Sequence, residues 1–111
     1  MQGEGDSVTE ENANNYRVYF DNFIKDFKGE FSQHLKNCIF ADAGISEKWN
    51  FYREINEFKK EYAQSQDNFV YIDTIANGLT TEYEPTDNPD TAHYDCESTL
   101  KLGKLFAEKI A

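Results

Sequence analysis

Apolar residues recur along this chain at helical spacing in three stretches and as short unbroken runs in two. Over residues 12–31, Tyr16, Phe20, Phe23, Phe27 and Phe31 lie four, three, four and four apart, with Tyr19 and Ile24 widening the stripe. That period predicts an amphipathic helix whose aromatic row faces inward. Thr9 or Asn12 suits its N-cap, Glu10 and Glu11 suit the positive end of its dipole, and Gly29 weakens its last turn. A second helix is predicted over roughly 47–64, on Phe51, Ile55, Phe58 and Tyr62, and Gln66-Asp67-Asn68 breaks it. A third, about 96–110, carries Leu102, Phe106 and Ile110 with Leu105 beside them.

The unbroken runs read as strands. Cys38-Ile39-Phe40-Ala41, closing at Gly44, lacks alternation, which is the pattern of a strand buried on both faces in a parallel sheet. Phe69-Val70-Tyr71-Ile72-Asp73 is rich in β-branched and aromatic residues. Residues 76–95 form a polar, acidic loop holding both prolines, Pro85 and Pro89. The order helix, strand, helix, strand, long loop, helix argues for an α/β fold with parallel strands. A strand buried on both faces expects a neighbour along each edge, and this chain supplies one. Residues 1–111 therefore read as a single partial domain, the second half of a larger doubly wound one. Its open sheet edge invites self-association.

Charge narrows the partners. Eleven Lys and Arg against 21 Asp and Glu give a net charge of −10 over 111 residues. That field repels a phosphate backbone, so no nucleic acid is expected, and anionic membrane surfaces are disfavoured in the same way. No apolar run approaches the roughly 20 residues that span a bilayer, and no signal peptide is recognisable. An aromatic content of 15% argues against disorder. The compartment stays open. Cys38 and Cys96 fit no metal motif; one bridge is open to them, and a pair of buried or half-buried thiols is the better reading.

In open parallel sheets, ligands bind outside the carboxyl ends of the strands. Three segments would lie there: residues 2–7, the loop after Phe40, and the long loop after Ile72. The last contains Asp90-Thr91-Ala92-His93-Tyr94-Asp95 just before a helix. A carboxylate three residues before a histidine can accept the imidazole Nδ1–H, which fixes the tautomer and leaves Nε2 free as a base. On spacing alone, a solvated histidine beside an acidic helix start is the commoner arrangement. His34 reads as a surface loop residue, and Trp49 as a core or helix-start residue before a sugar-stacking one. Glu82, Glu84, Asp87, Asp90 and Asp95 lack EF-hand spacing and read as solvated charge, so neither metal nor cofactor is expected.

The motifs taken together change the weighing. Gln2-Gly3-Glu4 with Asp6, an aromatic-rich helix, then Asp90-x-x-His93-Tyr94 and Leu102-Gly103-x-x-x-Ala107 resemble the SGNH hydrolases. Within them the chain is similar to the sialate O-acetylesterase and acetylxylan esterase branch of carbohydrate esterases. Val70-Tyr71-Ile72-Asp73-Thr74 matches that branch's Asp-Thr-like strand ending. The resemblance covers nearly the whole chain and implies the C-terminal half of a flavodoxin-like α/β/α domain.

The resemblance also implies roles. His93 would be the catalytic base and Asp90 its orienting carboxylate. Gln2 and Gly3 would stand in the block that helps build the oxyanion site, with Glu4 lining the same pocket. Leu102, Gly103 and Ala107 would pack, Gly103 permitting close approach to the sheet. The substrate would be an O-acetylated carbohydrate. The family's nucleophile block, Gly-Gln-Ser-Asn-like, is absent from these residues. Gly5-Asp6-Ser7-Val8-Thr9 resembles the nucleophile block of the lipase branch, but four residues leave no strand to aim Ser7, which reads instead as a polar residue before a helix. The competing reading is a non-catalytic acidic interaction domain, its sheet completed by a partner or a second copy.

Overall fold

A computed structural model describes residues 2–111. Five elements follow one another: α1 (Glu10–Glu30), β1 (Phe40–Ala43), α2 (Tyr52–Ser65), β2 (Phe69–Ile72) and α3 (Cys96–Ile110). The strands pair in parallel, Phe40 opposite Phe69 and Ala43 opposite Ile72. The chain enters β2 through Asn68, which takes the left-handed conformation at φ 62° that asparagine tolerates.

Alternation along the strands sorts the core into two layers. Ala43 and Ile72 point to one face and pack with Leu79 and Leu102, with Leu105, Phe106 and Tyr94 around them. Phe40 and Phe69 lie on the other face, stacked at 4.8 Å and 5°. There Ala13, Tyr16, Ile45, Ile55, Phe58 and Tyr62 form the larger core. Helices therefore cover both faces of the sheet, α1 and α2 on one side and α3 on the other. The α/β class with parallel strands expected from the sequence is the one found.

Several boundaries and faces differ from the expectation. The first strand begins at Phe40, two residues late, and runs on to Ala43. Asp42 lies inside it because Lys59 of α2, 3% exposed, brings its ammonium 3.2 Å from the carboxylate and 2.8 Å from the Ala43 carbonyl. Burial pushes the Lys59 pKa down, against the pull of Asp42. Helix α2 starts at Tyr52 rather than 47, since Ser46 holds the preceding turn: its hydroxyl accepts from the Lys48 amide and its carbonyl from the Trp49 amide.

On α1, capped by Thr9, only part of the aromatic row is inward. Tyr16 and Ile24 are buried and Phe20 packs against the core, whereas Tyr19, Phe23 and Phe31 are exposed. On α3, Leu102 is buried but Ile110 is exposed. Gly103 is exposed too, and a Cβ there would meet nothing within 4 Å, so it does not bring α3 close to the sheet. Ala107 shares that exposed side. Both cysteines are free, and Cys96 is exposed rather than half-buried.

Candidate active site

The turn at residues 90–93 is built by one carboxylate. Asp90 Oδ1 accepts from the backbone amides of Ala92 (2.9 Å) and His93 (3.2 Å), the local bonding that aspartate offers in turns. Its other oxygen, Oδ2, lies 2.6 Å from His93 Nδ1. The hydrogen bond from His93, with the two amides behind it, draws the Asp90 carboxyl down to about 2. A carboxylate held ionised beside Nδ1 favours the tautomer with its proton there, leaving Nε2 to exchange protons with a ligand. Both side chains are open to solvent, His93 at 58% and Asp90 at 59%.

Residues flanking His93 are each tied to a segment that follows a strand. Ala92 offers its carbonyl to Trp49 Nε1 at 3.1 Å, and the Trp49 ring meets the His93 ring edge-on at 5.5 Å. Tyr94 donates its hydroxyl to Thr74 Oγ1 at 2.6 Å and approaches the Gly44 carbonyl at 3.2 Å. Thr74 in turn donates to the Gly44 carbonyl at 3.1 Å. Gly44 follows β1 and Thr74 follows β2 by two residues, so Tyr94 straddles both strand ends. Burial pushes its phenol up to about 12, keeping it a neutral donor.

The base of the long loop is closed separately. Asp95, 1% exposed, caps α3 by accepting from the Ser98 amide at 2.8 Å. It also accepts from Thr80 Oγ1 at 2.5 Å and from the Tyr83 amide at 3.3 Å. These bonds, the one from Thr80 foremost, lower its carboxyl to about 2. Glu84 accepts from the Cys96 amide at 3.0 Å. The acidic residues of this loop are thus mostly engaged one by one: Glu82 pairs with Lys48 at 3.1 Å.

The N-terminal block is spread over a wider area. Gly3 is buried at φ 122°, where a Cβ would stand 2.8 Å from Ile55 Cγ2. Glu4 sits close enough for its charge to raise the pKa of Tyr94 and of Tyr16. Gln2 is exposed on the α1 side, its carbonyl 3.5 Å from the Tyr16 hydroxyl, and among the described residues no hydrogen bond joins it to the Asp90–His93 turn. Ser7 is fully buried, with its hydroxyl donating to the Glu4 carbonyl at 2.7 Å. It latches the turn before α1 and presents no nucleophile. His34 is exposed after α1.

Asp90 and His93 are brought together, and among the described residues no hydrogen bond joins Gln2 to them. Sequence reasoning missed the contact of Trp49 with His93 and the anchoring of Tyr94 on Thr74. The Asp73-Thr74 strand ending was the available signal for the second, and Trp49 had none beyond its place in the loop after β1.

A family model described as carbohydrate esterase, sialic acid-specific acetylesterase, matches residues 1–111. No curated protein and no solved structure matches the chain.

Proposed function

Because the chain belongs to the sialic acid-specific acetylesterase family of carbohydrate esterases, we propose that it supplies the histidine–aspartate half of a serine-esterase site that removes O-acetyl groups from sugars. The observation that carries this reading is the 2.6 Å contact between Asp90 Oδ2 and His93 Nδ1, on a turn fastened beside both parallel strand ends.

In this mechanism His93 Nε2 takes the proton of a serine hydroxyl as its oxygen attacks the acetyl carbonyl. Asp90 holds the ring and stabilises the imidazolium. The proton then passes to the sugar oxygen as the C–O bond breaks, and water clears the acetyl-serine by the same route. Gln2 and Gly3 stand for the oxyanion block and Glu4 for a pocket residue. Ser7 being buried, the nucleophile comes from a Gly-Gln-Ser-Asn-like block outside these residues.

The test is complementation. The chain is mixed with the N-terminal half of an esterase of this family that carries such a block, and acetate release from an O-acetylated sugar is followed. Activity should need both halves and should fall ~10²–10⁴-fold with His93→Ala, the usual worth of a general base. Sedimentation of the mixture shows whether the halves join. Joined halves whose acetate release is indifferent to His93→Ala would refute the assignment.

A further inference from the structure

The contact between Asp90 and His93 is short but open to water. At 2.6 Å it joins side chains that are 59% and 58% exposed. Water competes for both partners, so exposed pairs do little by themselves to hold a side chain in one rotamer. The pair is also internal to its turn. Asp90 builds that turn through the Ala92 and His93 amides, and so it travels with the histidine. It orients the imidazole within the turn and not relative to the sheet.

Trp49 supplies a reference from outside. It belongs to the segment between β1 and α2 and is bonded into it. Its amide donates to the Ser46 carbonyl at 3.3 Å, and its carbonyl accepts from the Tyr52 amide at 3.4 Å. Its half-buried ring packs on the larger core. From there the indole Nε1–H donates to the Ala92 carbonyl at 3.1 Å, and the ring meets the imidazole at 5.5 Å and 67°. Aromatic pairs attract at centroid separations of roughly 4.5–7 Å, with edge-to-face among the favoured arrangements. Among the described residues no second aromatic ring pairs with His93. One side chain thus grips the turn by its backbone and the imidazole by its ring.

We propose that Trp49 is a positioning residue for His93. The indole N–H pins the turn and the indole ring braces the imidazole. Together they keep Nδ1 toward Asp90 and Nε2 in a fixed direction before any substrate arrives. The proposal rests on the reading of His93 as the base and adds a residue to that site. A catalytic group has to be held within about 0.5 Å of its working position, and locking by packed neighbours achieves that.

Histidine side chains labelled with nitrogen-15 test it in the 111-residue chain. Spectra are taken at about pH 9, above the ordinary histidine pKa of about 6.5. His34→Gln removes the other histidine and assigns the signals. Ring-nitrogen shifts separate the two tautomers, and couplings across the Cα–Cβ bond show whether one rotamer dominates. A histidine free in water favours the Nε2–H tautomer. The native chain should instead show Nδ1 protonated and a single rotamer. Trp49→Leu should raise the Nε2–H share severalfold and average the couplings. Trp49→Phe, which keeps a ring and loses the N–H, should fall between the two. A purely structural role in the core would lower stability and leave tautomer and couplings native. Amide shifts in β1, β2 and α2 monitor folding, and if Trp49→Leu disturbs them, Trp49→Phe decides. In a complemented esterase, Trp49→Phe should lower kcat severalfold at unchanged KM, since misplacing a reacting group by ~1 Å costs up to ~10²-fold. Native tautomer and couplings in every variant that folds, or an averaged His93 rotamer in the native chain, would overturn the proposal. These signals are read without nucleophile or substrate. Failed complementation therefore leaves the brace standing, and a His93 indifferent to Trp49 leaves the esterase reading standing.

Discussion

Replacing Gly44 by alanine strikes the point where the two strand ends meet the candidate site. A Cβ built there stands 2.7 Å from the Tyr71 hydroxyl, 2.9 Å from Thr74 Oγ1 and 3.2 Å from Asn56 Cγ. The tyrosine hydroxyl is the far end of a long side chain and can yield. Thr74 is fully buried, short and β-branched, and its hydroxyl is committed to the Gly44 carbonyl and to Tyr94. Asn56 is pinned by two bonds to the Ile45 backbone, at 2.8 and 2.9 Å. Overpacking of this kind costs about 1–3 kcal/mol. Displacing Thr74 leaves a buried hydroxyl unpaired, a further 1–3 kcal/mol or so. The stiffer unfolded chain returns about 0.4–1 kcal/mol. The net expectation is a loss of about 3 kcal/mol, a large share of the stability of a domain this size. Urea unfolding measures it as a lower midpoint at unchanged slope. Because Thr74 anchors Tyr94, amide shifts at residues 90–94 should move as well. A loss below about 0.5 kcal/mol with those amides unmoved would show that the strand ends do not fix the turn.

Gly103→Ala should stabilise the chain by about 1 kcal/mol in the same assay, as expected for an exposed helix interior with room for a methyl group. Lys59→Met should cost about 3 kcal/mol by leaving Asp42 beside an uncharged neighbour, and adding Asp42→Asn should recover part of it. The folded-state pKa of Asp90 is depressed, so its contribution is present above the unfolded carboxylate value near 4 and is lost as pH falls through about 2; an NMR titration of its carboxyl carbon should accordingly show no midpoint near 4. Among the described residues, backbone groups on the far edge of β1 have no strand beside them, so sedimentation at micromolar concentration should reveal self-association, and a strict monomer would speak against an open edge.

Periodicity made the helices legible, and unbroken apolar runs made the strands legible. What period cannot report is which part of a stripe meets a partner. Helix α1 packs on α2 through Ala13, Tyr16 and Phe20, and Phe23 and Phe31 fall outside that contact although their spacing is the same. Lys59 reads as a solvent residue on any helical wheel; the carboxylate of Asp42 and the carbonyl of Ala43 across the layer make its burial tolerable. The Asp90–His93 contact was legible because it is local, three residues within one turn. Trp49 reaches the same place from 44 residues away, over a distance that no local pattern encodes.

The long loop is closed twice before it reaches the histidine. Its neck is cinched where Tyr83 and Glu84 meet Asp95 and Cys96, while Ala92 is fastened to Trp49 and Tyr94 to the strand ends. Residues 85–89, with both prolines, hang outside these closures like slack in a drawstring. Lengthening a closed loop costs only slowly, about 0.6 kcal/mol for each doubling. This stretch can therefore grow, shrink or change composition between relatives while the imidazole keeps its place. Shape at the rim of the site and geometry at its centre are, in this fold, free to evolve on separate schedules.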